Sequence, residues 1–312
     1  MTNYDNINTR EQRKVAFLSF FKLLFFLTIG AFVANLLGTL LALPWFNYDL
    51  MFLGKVLANP TSYSDRSFGF LVLQGITSLF AFVLVPAFYL HIFEHKKIDD
   101  LTSPFYKWQN YIITFLLVLV SMPVTSVIAE WNATLHFPAF LSGFENWARE
   151  HEEAATKLTG FITQIDTLPH LVLGFVVIGV FAGLGEELVF RGLFQNLFYN
   201  MFQNKHIAVL LGAVLFSAIH MQFFGFVPRM LLGMLFGYLY VWSGDLYVPI
   251  FAHFLNNSIT LMAVYLGRKS VIDFQIDEVA SPVSIYGAAL ASLILGVLLY
   301  LFFKQNLQEE AS

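Results

Sequence analysis

The 312-residue chain contains no cysteine. That removes disulfides, cysteine-ligated zinc, iron–sulfur clusters and cysteine-linked lipid anchors from consideration. Charge is almost as scarce. Asp, Glu, Lys and Arg make up 12% of the residues, about half the share of a soluble domain, and too little to cover a water-soluble protein of this size. The net charge of −4 and the lack of a basic cluster argue against a nucleic-acid partner. What fills the chain is apolar. It is 57% hydrophobic and 17% aromatic, in long blocks rather than alternation, which predicts an all-α, polytopic membrane helix bundle with about eight transmembrane helices.

With about 20 apolar residues per span, the candidates are 15–43, 68–93, 110–129, 169–192, 206–222, 226–243, 247–266 and 283–303. The first block is too long for a signal-peptide core and lacks a small-x-small site after it, so it is expected to be a retained span. The longest polar stretch, about 130–168, contains an amphipathic segment, 144–165. Its Phe144, Trp147, Phe161, Ile162 and Ile165 are expected to dip into the bilayer interface. Lys and Arg fall in modest excess on one face: Arg10, Arg13, Lys14, Lys96, Lys97, Lys107, Lys205 and Lys304. The other face holds Lys55, Arg66, Arg149, Lys157, Arg229, Arg268 and Lys269. The bias predicts cytoplasmic N- and C-termini in a cell (cytoplasmic) membrane. Gly233 and Gly237 form a GxxxG that suits close helix approach.

An ionisable residue inside a span costs several kcal/mol, at least ~2.5–3.5, so each one is a functional candidate. The fourth span carries Glu186, Glu187 and Arg191. At about 100° per residue, Arg191 lies close to Glu187 as an i,i+4 partner, and Glu186 points elsewhere without one. The fifth carries Phe216 and His220, and the seventh His253 and Asn257, each pair at i,i+4. Asn256 falls on a different helix face from Asn257 and is expected to bond a neighbouring helix. A carboxylate can take a proton from water, an imidazole can hold that water, and an amide can steady an oxyanion. That inventory suffices for peptide hydrolysis. It also resembles a metal site at Glu186, His220 and His253, since His and carboxylate are good ligands for a divalent metal such as zinc. His91 to His95 reads H-x-x-E-H, a metal pattern on a helix, but it lies where a span meets a polar loop and is read as interfacial.

EExxxR, FxxxH and HxxxN on successive helices resemble the CPBP or Abi family, the CAAX-protease and bacteriocin-processing intramembrane endopeptidases. The resemblance covers about 165–267. It implies Glu186 as water-activating base with His220 beside it, His253 and Asn257 lining the oxyanion site, and Glu187, Arg191 and Phe216 supporting them. It implies a peptide or membrane-protein substrate, lipidated or a peptide precursor, reached from the lipid bilayer. Metal-assisted and glutamate-dependent hydrolysis both stay open. The chain then divides into a tail, three spans and the amphipathic segment (1–160), a catalytic core of four spans (161–267) and a last span with its tail (268–312). The rival reading is a non-proteolytic membrane scaffold, immunity or regulatory protein using the same bundle. A transporter would favour two related halves, and no such symmetry is visible.

Overall fold

The computed structural model describes residues 9–103, 107–272 and 285–307. Among them every regular element is helical. The helices are α1 (Thr9–Ala42), the short α2 (Leu50–Ala58), α3 (67–93), α4 (Trp108–Ala133), α5 (Ser142–Ile162), α6 (Leu168–Phe202), α7 (Lys205–Ala218), α8 (Phe226–Ser243), α9 (Tyr247–Arg268) and α10 (Ile285–Leu307). Seven of them are long and apolar enough to cross a membrane: α1, α3, α4, α6, α8, α9 and α10. The chain is a multi-pass helical membrane protein.

The eighth expected span is shorter than its apolar run. α7 starts where the Asn204 side chain accepts from the backbone N–H of His206 and Ile207, and it stops at Ala218. Its 14 residues reach about 21 Å, against about 30 Å of hydrocarbon. Residues 219–225 then run irregularly before α8 begins at Phe226. Non-helical backbone is tolerated at membrane depth where protein covers it or a cavity adjoins it. His220 therefore lies past the end of its helix, not inside a span ending at 222.

Contacts at the helix ends sort them onto two faces. On one, Asn110 at the start of α4 exchanges amide hydrogen bonds with Asn306 of α10 (3.2 and 3.0 Å), and the Tyr111 hydroxyl meets Asp245 after α8 (3.4 Å). On the other, Arg268 at the end of α9 reaches Asp166 just before α6 (3.3 Å). α5 lies on this second face, as its sequence predicts, but its apolar side chains pack on protein. The Phe144 and Trp147 rings lie 5.0 and 5.7 Å from Phe223, Phe161 lies 5.5 Å from Phe70, and Ile165 is buried. The irregular 219–225 segment presents the aromatic surface that α5 covers.

The start of α5 is tied down by one carboxylate. Glu145 accepts from Arg149 (2.8 Å) and the Phe137 N–H (2.8 Å) and meets His136 (2.8 Å). These bonds, that of Arg149 first, bring its pKa from 4.5 to about 2.

Close helix approach rests on glycine. A methyl group at Gly185 of α6 would sit 2.5 Å from the Phe82 Cβ and 3.1 Å from the Phe82 carbonyl carbon on α3. At Gly183 it would sit 3.1 Å from the Phe254 backbone nitrogen on α9. The H-x-x-E-H pattern does not form a helical pair. α3 ends at Phe93, His95 takes a left-handed φ of 53°, and the Lys96 N–H closes the helix end on the Leu90 carbonyl (3.1 Å).

Gly185→Ala is expected to lower stability by about 1–3 kcal/mol through overpacking. Gly143→Ala on α5, where a methyl group meets open space, should stay within about 0.5 kcal/mol. Denaturant titration of both proteins in detergent checks the contrast. A depressed carboxyl pKa also fixes a pH window: the Glu145 tether holds fully above the ordinary 4.5 and is lost as pH falls through about 2. A spin label on Gly143→Cys, in a chain with no other cysteine, should show constant mobility from about pH 8 to 4.5 and full release only as pH falls to about 2. Glu145→Gln should free the label already at pH 7.

Candidate active site

α6 is not a uniform α-helix. Two stretches, Phe175–Phe181 and Leu188–Gln195, are π-helical and flank Ala182–Glu187. Such turns widen a helix, re-aim its side chains and leave carbonyls free for other donors. The Ile178 carbonyl, in the first stretch, accepts the Asn257 amide of α9 at 2.9 Å. Gly183, pressed against Phe254, brings the same two helices together one turn further on. There the acidic pair of α6 meets His253.

Glu187 is fully buried and is the hub. Its Oε1 accepts from Arg191 Nη1 at 2.7 Å and contacts His253 Nδ1 at 2.7 Å. Its other oxygen is buried and has no hydrogen-bond partner among the described residues. Arg191, 1% exposed, uses Nη2 to donate to the Gly233 carbonyl at 2.7 Å. One turn on, the Gln195 amide donates to the Gly237 carbonyl at 3.2 Å. The GxxxG of α8 therefore does more than admit a neighbouring helix: it bares two backbone carbonyls to polar side chains of α6. Phe216 and Phe236 cover the guanidinium, with ring centres 5.0 and 5.5 Å from it. Phe216 also meets His253 edge-on at 5.9 Å.

An Arg-paired carboxylate only accepts, so Nδ1 of His253 carries the proton of that contact. Nε2 is left facing Glu186 Oε2 at 3.9 Å. Glu186, Phe216, His220, His253, Asn256 and Asn257 all border one cavity of about 730 Å³ between α4, α6, α7, α8 and α9. His220 directs Nδ1 to the Phe216 carbonyl at 2.8 Å, which leaves its Nε2 free to accept. Asn257 borders the cavity on the same helix face as His253, as the i,i+4 spacing predicts, and Asn256 borders it too instead of bonding a neighbouring helix. Asn257 is also tied to α6 through Ile178, and Asn256 donates to the Asn257 side-chain oxygen at 3.3 Å. The widened α6 turn offers Asn257 a free carbonyl, which ideal helix geometry cannot foresee.

A metal at Glu186, His220 and His253 was the open alternative. Among the described residues no group of three His, Asp or Glu side chains is gathered closely enough to hold an ion. The donors as they stand do not form a ligand set.

Arg229 also borders the cavity. It lies inside the apolar run 226–243, so the rule that flagged Glu186 applies to it equally. Assigning it to a polar face by charge counting hid it.

The multi-pass helical bundle gathers a carboxylate and two imidazoles around one cavity. Residues 168–259 match the family model "Type II CAAX prenyl endopeptidase Rce1-like", so this segment is similar to that family. The chain is 27% identical over 97 residues to the uncharacterized protein YpbD of Bacillus subtilis (strain 168). That match covers 30% of this chain and 44% of the relative, so the chain spans less than half the length of the curated relative it matches. No solved structure matches.

Arg191→Met leaves Glu187 as an uncompensated buried charge and is expected to cost about 3–5 kcal/mol. Arg191→Lys should rescue only part of it, because one ammonium cannot span Glu187 and the Gly233 carbonyl as the fork does. Glu186→Gln should change stability by less than about 1 kcal/mol, having no hydrogen bond among the described residues to lose. Reversible unfolding of the three variants in mixed micelles measures the ranking.

Proposed function

We propose that this chain is an intramembrane endopeptidase of the cytoplasmic membrane, with both termini cytoplasmic, that hydrolyses a peptide bond with a glutamate-activated water. The observation that carries the reading is the placement of the Glu186 carboxylate. It borders the cavity 3.9 Å from an imidazole whose far nitrogen is held by an Arg-paired glutamate.

Glu186 takes one proton from water as the water oxygen attacks the scissile carbonyl carbon. The carbonyl electron pair moves onto oxygen, where amide N–H groups bordering the cavity steady it; Asn256 and Asn257 are the donors in reach of that space, and the accepting Nε2 of His220 helps hold the water. The intermediate collapses, the C–N bond breaks, and Glu186 returns the proton to the leaving amine. His253 keeps its Nε2 toward Glu186 and the water, because Glu187 and Arg191 fix its ring. Such a mechanism needs no covalent acyl-enzyme. The substrate is a peptide or a membrane protein whose scissile bond reaches the cavity.

The lysine and arginine distribution supports cytoplasmic termini, and an accessibility assay on cysteines introduced near each terminus tests it.

Glu186→Gln in correctly inserted protein is expected to reduce proteolysis by at least about 10³-fold, as for loss of a general base together with its charge. Comparative terminal proteomics of cells carrying either form identifies the substrate as the polypeptide that stays uncut. Cleavage that survives the substitution assigns the chemistry to another group. Cleavage abolished by chelation and restored by zinc would replace the metal-free scheme.

A further inference from the structure

Resting on the endopeptidase reading, we propose that Arg229 is the substrate-recognition residue of the cavity and that it binds a carboxylate of the peptide. The wall around it is otherwise neutral: Met122, Leu232, Phe236 and Ile259 are apolar, and Ser126 and Thr260 carry only hydroxyls. Within it stand one carboxylate, Glu186, and one guanidinium, Arg229.

Arg229 is held rather than neutralised. Its Nη2 donates to the Gln222 side-chain oxygen at 2.7 Å. The Gln222 amide donates to Glu152 of α5 at 3.4 Å, and the other Glu152 oxygen accepts from the Phe224 N–H at 3.2 Å. An uncharged amide therefore stands between the cation and its nearest acid outside the cavity. Gly225 leaves the room: a methyl group there would lie 3.2 Å from Arg229 Nη2 and 3.5 Å from Glu152 Oε1. Burial raises the Glu152 pKa above its ordinary value, more than the Phe224 N–H and Arg229 lower it. Nη1 is shut from solvent and bonds to nothing among the described residues. A guanidinium with a spare donor, set in an apolar wall and steered by an amide, suits a carboxylate taken up two-pronged.

Glu186 and Arg229 then divide the work by charge. A peptide carboxylate placed on Arg229 is kept off Glu186, and the apolar wall takes the intervening side chains. The carboxylate comes either from the chain end or from an acidic side chain.

The test uses the full chain in nanodiscs and three N-acetylated apolar tetrapeptides, with binding read by microscale thermophoresis. One has a free carboxyl terminus, one an amidated terminus, and one an amidated terminus with an internal aspartate. Wild type is expected to bind at least one acidic peptide about tenfold or more tighter than the neutral one, as a charge-assisted contact gives. Arg229→Gln should erase that preference without changing affinity for the neutral peptide, and Arg229→Lys should keep part of it. Preference for the first peptide assigns the chain end, and for the third the side chain. Equal affinity for all three, absence of binding by any, or a preference that survives Arg229→Gln overturns the proposal. Binding needs no cleavage, so this result is independent of the Glu186→Gln proteolysis test on which the endopeptidase reading stands.

Discussion

One buried oxygen organises the centre of this bundle. Glu187 Oε1 meets Arg191 on its own helix and His253 on α9, both at 2.7 Å. In lipid a lone carboxylate or guanidinium is costly, and so is an imidazole with a proton and no acceptor. The three groups remove one another's cost, but only if α6 and α9 keep their spacing and rotation. Arg191 extends the same constraint to α8 through the Gly233 carbonyl. Three helices are thus registered by one ion pair, and Glu186, next along the chain, needs no bond of its own to be placed.

Helix geometry cooperates with the clasp. Gly183 and Gly185 let α9 and α3 approach α6 from different sides. The π-helical turns on either side of the acidic pair make carbonyls available, and Asn257 uses one. Backbone polarity is normally hidden in a membrane helix. Here it is bared where Asn257, Arg191 and Gln195 can use it, so polar side chains hold the bundle together as well as furnish its cavity.

Much of this was legible in the sequence because the bilayer is a strict solvent. Long apolar runs give the helices, and an ionisable residue within such a run stands out; Glu186, Glu187, Arg191 and His253 were found in that way. The i,i+4 spacing gave the Glu187–Arg191 pair, and glycine spacing gave close approach at α8. What escaped depends on neighbours and on departures from ideal geometry. Asn256 joins Asn257 at the cavity, and Asn257 also bonds the Ile178 carbonyl of the widened α6. Hydropathy ran α7 on to 222, since Ile219 and Met221 are apolar although the helix ends at Ala218. The aromatic face of α5 was assigned to lipid because nothing in its own sequence names the loop it covers. Arg229 was visible by the same rule as Glu186 and was absorbed into a charge count.

The early stop of α7 has a consequence for hydration. A helix about 9 Å shorter than the hydrocarbon slab leaves a dimple over residues 219–225, roofed by α5 instead of acyl chains. The geometry shortens the distance from the membrane surface to the cavity, where Gln222 and Arg229 stand along the way. On the proposed hydrolytic reading, which spends one water per turnover, the short helix provides that water's way in.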